Sequence, residues 1–353
     1  MQELSYTVSF TTPAFLGNAE QQAQWRTPPF KALLRQWWRI AAAPQYNYDH
    51  HTLREAEGKL FGQAHEGDNR KSLVRFRLSQ WDMGKLNQWS GDDPIPHPEV
   101  KNREGKLRPV GSQLYLGYGP LGFQNSQTSL GTVRETGIRR TAIGPEKQSA
   151  DLWIGFPDGD ANKLQQAVKL MGWFGTLGSR ARNGWGSLQM DGLQSPKAAD
   201  LTPFSRPLSQ CLQLDWPHAI GKDGSGKILI WKTSPQSSWR EAMRELAKAK
   251  IAFRTHFKFS TGNNGPKAED RHLLAYPVTN HSVRLWGNQG RLGNQVRFKV
   301  VKEAGKYIGL IVHLPCKLPI ELADKLASKP NELSIWQQVH QVLDNHNGLS
   351  RLQ

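Results

Sequence analysis

The chain has 353 residues, with 46 Lys and Arg against 30 Asp and Glu, a formal charge of +16 that makes polyanions its expected company. With 37% hydrophobic residues, 13 Trp and 13 Phe it can offset the ordering entropy of a core, so wholesale disorder is excluded and two or three domains are expected. Residues 1–200 hold 24 basic and 19 acidic side chains and residues 201–353 hold 22 and 11, so the second half is the more basic.

Leu4, Tyr6, Val8 and Phe10 alternate with Ser5, Thr7 and Ser9, the period of a strand with one buried face. After a loop, residues 30–43 place Phe30, Leu33, Leu34, Trp37, Trp38 and Ala41 at helical spacing, with Lys31, Arg35 and Arg39 four apart on another stripe. Residues 53–61 read as a short helix. Residues 73–78 read as a strand that turns Val74, Phe76 and Leu78 to one face and Arg75 and Arg77 to the other. Residues 80–147 are rich in Gly, Pro, Asp and Asn and predict long loops and hairpins, which in a compact protein are usually functional. A strand at 150–156, an N-cap at Asp160, a helix over 163–177 and a strand at 188–190 complete the first part.

Pro196, Pro203 and Pro207 mark 194–209 as the linker between domains 1–193 and 210–353. Beyond it, 213–216 and 228–231 predict paired strands, 239–253 a helix, 296–301 and 307–313 another strand pair, and 334–346 a closing helix. Strands and helices do not alternate one to one. Two tandem α+β units with long loop insertions therefore fit better than one doubly wound sheet, and no internal repeat is evident.

Several motifs have a plainer explanation than their spacing suggests. Gly221 to Lys227 has phosphate-loop spacing, but Ile228 stands where Ser or Thr would hold magnesium, and a strand follows where a helix must begin, so a hairpin turn is expected. Gly117, Gly119 and Gly122 fit a dinucleotide loop, yet no helix follows to receive a pyrophosphate. Asp158 and Asp160 read as a turn and a cap. His50 and His51 lack partners at metal-ligand spacing, and Cys211 and Cys316 are too few for a disulfide framework or a Cys-based zinc site. No metal and no cofactor are expected.

The segment from Gly178 to Ser187 differs in kind. Gly178, Gly184 and Gly186 interleave with Arg180, Arg182, Asn183 and Trp185. Glycines let a backbone approach a ligand, arginines fork onto phosphates, and a Trp face can stack on a base. The alternative is a helix C-cap and a solvated basic turn. The stripe Lys31, Arg35, Arg39 reads equally well as a solvated helix face.

Taken in order, 12–17 (Thr-Pro-Ala-Phe-Leu-Gly), Phe30 to Arg39, Glu55 to Gly62 and Leu177 to Ser187 resemble the RAMP superfamily of CRISPR proteins. Within it, the chain is similar to the first-numbered RAMP subunit of the type III-B Cmr effector complex. The resemblance covers most of residues 1–190, and the second half shares it loosely through the basic segment Gly290 to Lys299. It implies two ferredoxin-like (RRM-like) domains in tandem that bind CRISPR guide RNA, target single-stranded RNA or both, beside the other subunits of the Cmr complex. It puts RNA at Arg26, Lys31 and Arg35 near the first helix start and at the glycine-rich loop with Arg180 and Arg182. Arg39, Arg75 and Arg77 extend the candidate RNA-binding set. The segment 27–32 (Thr-Pro-Pro-Phe-Lys-Ala) lacks the glycine that many RAMP proteins carry before this helix.

The target-cutting aspartate of such complexes belongs to a sibling subunit, so a non-catalytic RNA-binding subunit for antiviral defence is expected. The longest nearly apolar stretch, Tyr307 to Leu314, is too short to cross a bilayer, and Met1 to Thr12 lacks signal-peptide order, which points to the cytoplasm. Two other readings stand beside this one. One is a metal-independent RAMP endoribonuclease that processes CRISPR RNA with His50, His51 or His65 as base. The other is a scaffold that docks sibling subunits through its tryptophans.

Overall fold

A computed structural model of the chain describes residues 1–65, 68–128, 131–146, 148–287, 289–326, 328 and 330–353. The first half forms β1 (Gln2–Phe10), α1 (Thr27–Ala42), α2 (His50–Phe61), β2 (Arg75–Leu78), α3 (Ser112–Gly117), β3 (Leu121–Thr128), β4 (Gly131–Ile138), β5 (Ser149–Phe156), α4 (Ala161–Phe174) and β6 (Leu188–Met190). The second half forms β7 (Ile230–Thr233), α5 (Trp239–His256), β8 (Val296–Glu303), β9 (Lys306–His313), α6 (Glu332–Asp344) and β10 (Leu349–Arg351).

The alternation in β1 sets the first sheet. Leu4 pairs with Ile154 and Val8 with Ala150 of β5, and Phe10 with Leu188 of β6, so one face of all three strands is apolar. The strand order is β6-β1-β5-β2 and every pair is antiparallel. α1 and α4 cover the apolar face with Phe30, Leu34, Trp37, Leu164 and Met171, all buried. Glu3, Ser5, Thr7, Arg75 and Arg77 remain exposed on the other face.

A second sheet has the order β10-β7-β9-β8, again antiparallel throughout. Each sheet thus takes its four strands in the order fourth, first, third, second, with a helix after the first strand and another after the third. The second sheet is buried on both faces. Trp231, Phe298, Val300 and Ile311 pack with α5 and α6 residues such as Met243, Leu246 and Trp336. Ile230, Val301, Leu310 and Val312 join the core of the first half, and Lys299 of β8 donates its ammonium to the Gly172 carbonyl of α4.

Two expectations, a strand at 213–216 and a cap at Asp160, need correction. Residues 213–216 form no strand; instead Ser205–Pro207 runs parallel to Ile220–Lys222. The stretch 194–209 packs onto the fold: Leu201 of a helical turn at Ala198–Leu201 and Phe204 of the turn after it join the first core. Asp160 precedes α4 but its side chain caps no amide. The hairpin at Gly221 to Lys227 is present: Lys222 pairs with Ile228, and Asp223 Oδ1 accepts the amides of Ser225 and Lys227, each at 3.0 Å. Cys211 is buried and Cys316 half-buried, both as free thiols. No helix among the described residues is long and apolar enough to cross a membrane.

Candidate nucleic-acid interface

The site is built where the segment between α4 and β6 meets the second half. Gly178 has φ +92, and a Cβ there would sit 2.5 Å from the Phe15 carbonyl oxygen, so the chain packs backbone to backbone against residues 13–16. Thr12 Oγ1 donates to the Gly184 carbonyl at 2.7 Å and accepts from Ser187 N at 3.0 Å, while Ser187 Oγ accepts from Val300 N of β8 at 2.9 Å. Phe298 N donates to the Arg182 carbonyl at 3.0 Å. Asn183 donates Nδ2 to the Leu116 carbonyl and accepts Lys250 Nζ of α5 at Oδ1, both at 2.8 Å. These bonds rivet the loop to both halves. Arg180 and Arg182, which alternate with the anchored positions, stay exposed. Arg180 holds φ +59, a left-handed conformation costing about 1 kcal/mol, closed by the Asn183 N bond to its carbonyl at 2.8 Å.

A cavity of about 1270 Å³ opens beside this loop. Arg108, Arg180, Arg182, Lys250, Arg254 and Arg297 line it, against one carboxylate among the described residues, Glu99. Glu99 is already taken by Arg271 Nη1, 2.8 Å from both of its oxygens, and by Lys258 at 3.8 Å. Among the described residues no carboxylate ion-pairs with Arg180, Arg182, Arg254 or Arg297.

Burial, followed by the charges of Arg254 and Arg180, pushes the Lys250 ammonium down to about 7. Burial and then Arg182 push the Arg297 guanidinium down to about 9, and burial lowers Arg254 as well. Arg297 Nε and Gln36 Nε2, both at the cavity, have no hydrogen-bond partner among the described residues. Cations crowded in this way gain from an anion that enters among them. A smaller cavity of about 280 Å³, lined by Arg26, Pro29, Arg140 and Ser179, also borders Gly178 at the uncapped start of α1.

The expected site residues divide accordingly. Gly178, Arg180, Arg182 and Asn183 line the large cavity and Arg26 the small one; Lys31, Arg35 and Arg39 line neither. Arg35 Nε lies 2.6 Å and Arg39 Nη2 2.9 Å from Glu57 Oε1, a carboxylate only 1% exposed. Burial alone would raise the Glu57 carboxyl, but the two guanidiniums hold it below the usual range. Arg35 and Arg39 are therefore a clamp on α2, which Lys31 does not join, and Gln36 is the α1 side chain that reaches the large cavity.

Arg75 and Arg77 lie on the open face of the first sheet, with Arg77 4.1 Å over the Trp153 ring. Trp185 offers no face to a base: it is fully buried, with ring centroids of Phe15 at 5.3 Å, Trp89 at 5.7 Å and Trp239 at 6.1 Å. Gly184 and Gly186 are buried beside it, and a Cβ on Gly186 would lie 1.9 Å from the Leu177 carbonyl oxygen. These three residues shape the loop instead of meeting a ligand.

Sequence reading missed the contributions of Lys250, Arg254, Arg271 and Arg297, and of the exposed aromatics Tyr118 and Phe123. Of the histidines considered as bases, His50 pairs with Asp215 at 3.2 Å and its ring centroid lies 3.9 Å from that of His51, both off the large cavity. The side chain of His65 falls outside the described residues. Among the described residues no three His, Cys, Asp or Glu cluster to hold a metal.

The fold and site describe a mixed α/β protein with an unneutralised basic cavity between its halves. Residues 7–189 match the RAMP superfamily, and the chain belongs to that family. Among solved structures it is similar to Cmr1 from Pyrococcus furiosus in apo form, at 13% identity and TM-score 0.43, over 89% of this chain and 88% of that one. It is also similar to a chain of the type III-B Cmr-beta complex bound to cognate target RNA and AMPPnP in the presence of ssDNA, at 11% identity and TM-score 0.47, over 97% and 99%. A further likeness, at 9% identity and TM-score 0.44 over 96% and 98%, is to the Cmr-beta complex bound to cognate target RNA. Among curated proteins none matches the sequence.

Proposed function

We propose that this chain is an RNA-binding, non-catalytic subunit of a type III-B-like CRISPR effector ribonucleoprotein, working in the cytoplasm beside sibling subunits. In this reading the two sheets with their helices are tandem ferredoxin-like units, and RNA lies in the cavity between them. One observation carries it: Arg180, Arg182, Arg254 and Arg297 converge on a cavity whose single carboxylate is already paired. A protein gains nothing in stability from such a set. A phosphate backbone neutralises it and releases counterions.

Sequence specificity in this account comes from base pairing between guide and target, with the protein supplying grip. The nuclease reading gains no support from His50, whose Nδ1 is engaged with Asp215. Photocrosslinking of single-stranded RNA to the full chain tests the proposal. Crosslinked peptides containing Arg180 to Asn183 and Lys250 to Arg254 are expected. Crosslinks confined to the open face around Arg75 and Arg77 would move the site.

A further inference from the structure

The large cavity has a second chemistry beside its cations. Tyr118 is 55% and Phe123 38% exposed, and both line it. They sit next to the phosphate-binding candidates: the Arg180 guanidinium approaches within 3.5 Å of the Cβ position of Gly119, the residue after Tyr118. Asn183 ties the same segment to the loop through the Leu116 carbonyl at 2.8 Å. Arg134 covers one face of Phe123 at 4.1 Å from its centroid.

We infer that the cavity holds a short unpaired stretch of RNA, its phosphates on Arg180, Arg182 and Arg297 and its bases stacked on Tyr118 and Phe123. The inference rests on the RNA-binding reading above and adds the two side chains that receive the bases. An aromatic side chain left in water beside guanidiniums has the arrangement that single-strand binders use, because every base offers a π-face whatever its identity. Stacking on these rings needs bases with an open face, which a paired strand does not present along its length, so the stretch held here is unpaired. Its bases are held without reading their sequence.

The test uses the full chain, a short RNA carrying aminopurine as a stacking reporter, and the same RNA annealed to its complement. The single strand should lose reporter fluorescence on binding, and the duplex should compete at least about ten-fold worse. Tyr118→Ala with Phe123→Ala should abolish the fluorescence loss and weaken binding about ten-fold, with the salt dependence unchanged. Both side chains are exposed, so these changes spare the core. Equal competition by the duplex, or quenching that persists in the double variant, overturns the stacking inference while single-strand binding that depends on Arg180 and Arg182 would keep the RNA reading. Absence of any RNA binding by the wild-type chain overturns both.

Discussion

Lys250 Nζ donates to Asn183 Oδ1 at 2.8 Å, so a cation from the long helix of the second half is held by the loop that carries Arg180 and Arg182 in the first. Asn183 spends its other end on the Leu116 carbonyl. It is the anchor of this loop, and Arg180 and Arg182 just before it are the side chains that stay exposed. Asn183→Ala leaves the Leu116 carbonyl and an enclosed ammonium without their partner, a loss of about 1–3 kcal/mol. Denaturant unfolding should show that loss, whereas Arg180→Ala should leave the midpoint in place. Equal stability of Asn183→Ala and wild type would remove the anchor role.

Lys250 works against folding. Its pKa is lowered to about 7, so the folded state releases a proton near neutrality that the unfolded chain keeps until about pH 10. The unfolded state binds more protons across that window, and this group's contribution to stability rises with pH through it. Lys250→Met should therefore gain more stability over wild type at pH 7 than at pH 9 while binding RNA less tightly. Thermal melts at the two pH values check the first half. A gain that is larger at pH 9 would contradict it.

Glu57 decides whether the first helix faces RNA or clamps its neighbour. Glu57→Gln leaves Arg35 and Arg39 without their shared carboxylate, which costs about 1–3 kcal/mol because the two guanidiniums left behind are about a third exposed to water. RNA affinity of the surviving folded fraction should keep its salt slope. A reduced slope would return Arg35 and Arg39 to the RNA path.

Acid should unfold the second half through its histidines. His313 Nδ1 and His340 Nε2 share a hydrogen bond at 2.9 Å inside the core. Burial pushes His340 down to about 3 and His313 well below its usual value, and lowers His218 to about 4. The unfolded chain takes up these protons near pH 6.5, so stability is full above that value and falls as pH drops toward 4. Replacing the pair with His313→Phe and His340→Leu should flatten this fall in denaturant midpoints between pH 7 and pH 4.5. An unchanged slope would assign acid sensitivity to other groups.

The fold was readable where local pattern carries the physics. The alternation of Leu4 to Phe10 and the helical spacing of Phe30 to Ala41 predict elements that form within a few residues of the expected ends. The shared strand order of the two sheets has no counterpart in sequence repetition, because topology constrains which positions are apolar and leaves open which apolar residue fills them. The site was half legible. Arg180 and Arg182 stand out among glycines, but the burial of Trp185 depends on Phe15, Trp89 and Trp239, each distant in sequence. Glu57, which takes Arg35 and Arg39, comes from the next helix. One signal for the missed residues did exist: on α5, Lys248 has Glu245 three residues away, whereas Lys250 and Arg254 have no acid at helical spacing. Unaccompanied cations on a largely buried helix point to a partner outside the chain.

Single-stranded RNA affinity measured against salt for wild type and for the variant Arg180→Ala, Arg182→Ala, Arg297→Ala is the most direct test of the cavity as the RNA site. The account predicts a steep linear fall of log affinity with log salt for wild type and a slope shallower by about two to three for the variant, one for each phosphate that no longer meets a guanidinium. Identical slopes with identical affinities would show that RNA binds elsewhere on this basic surface and would contradict the account.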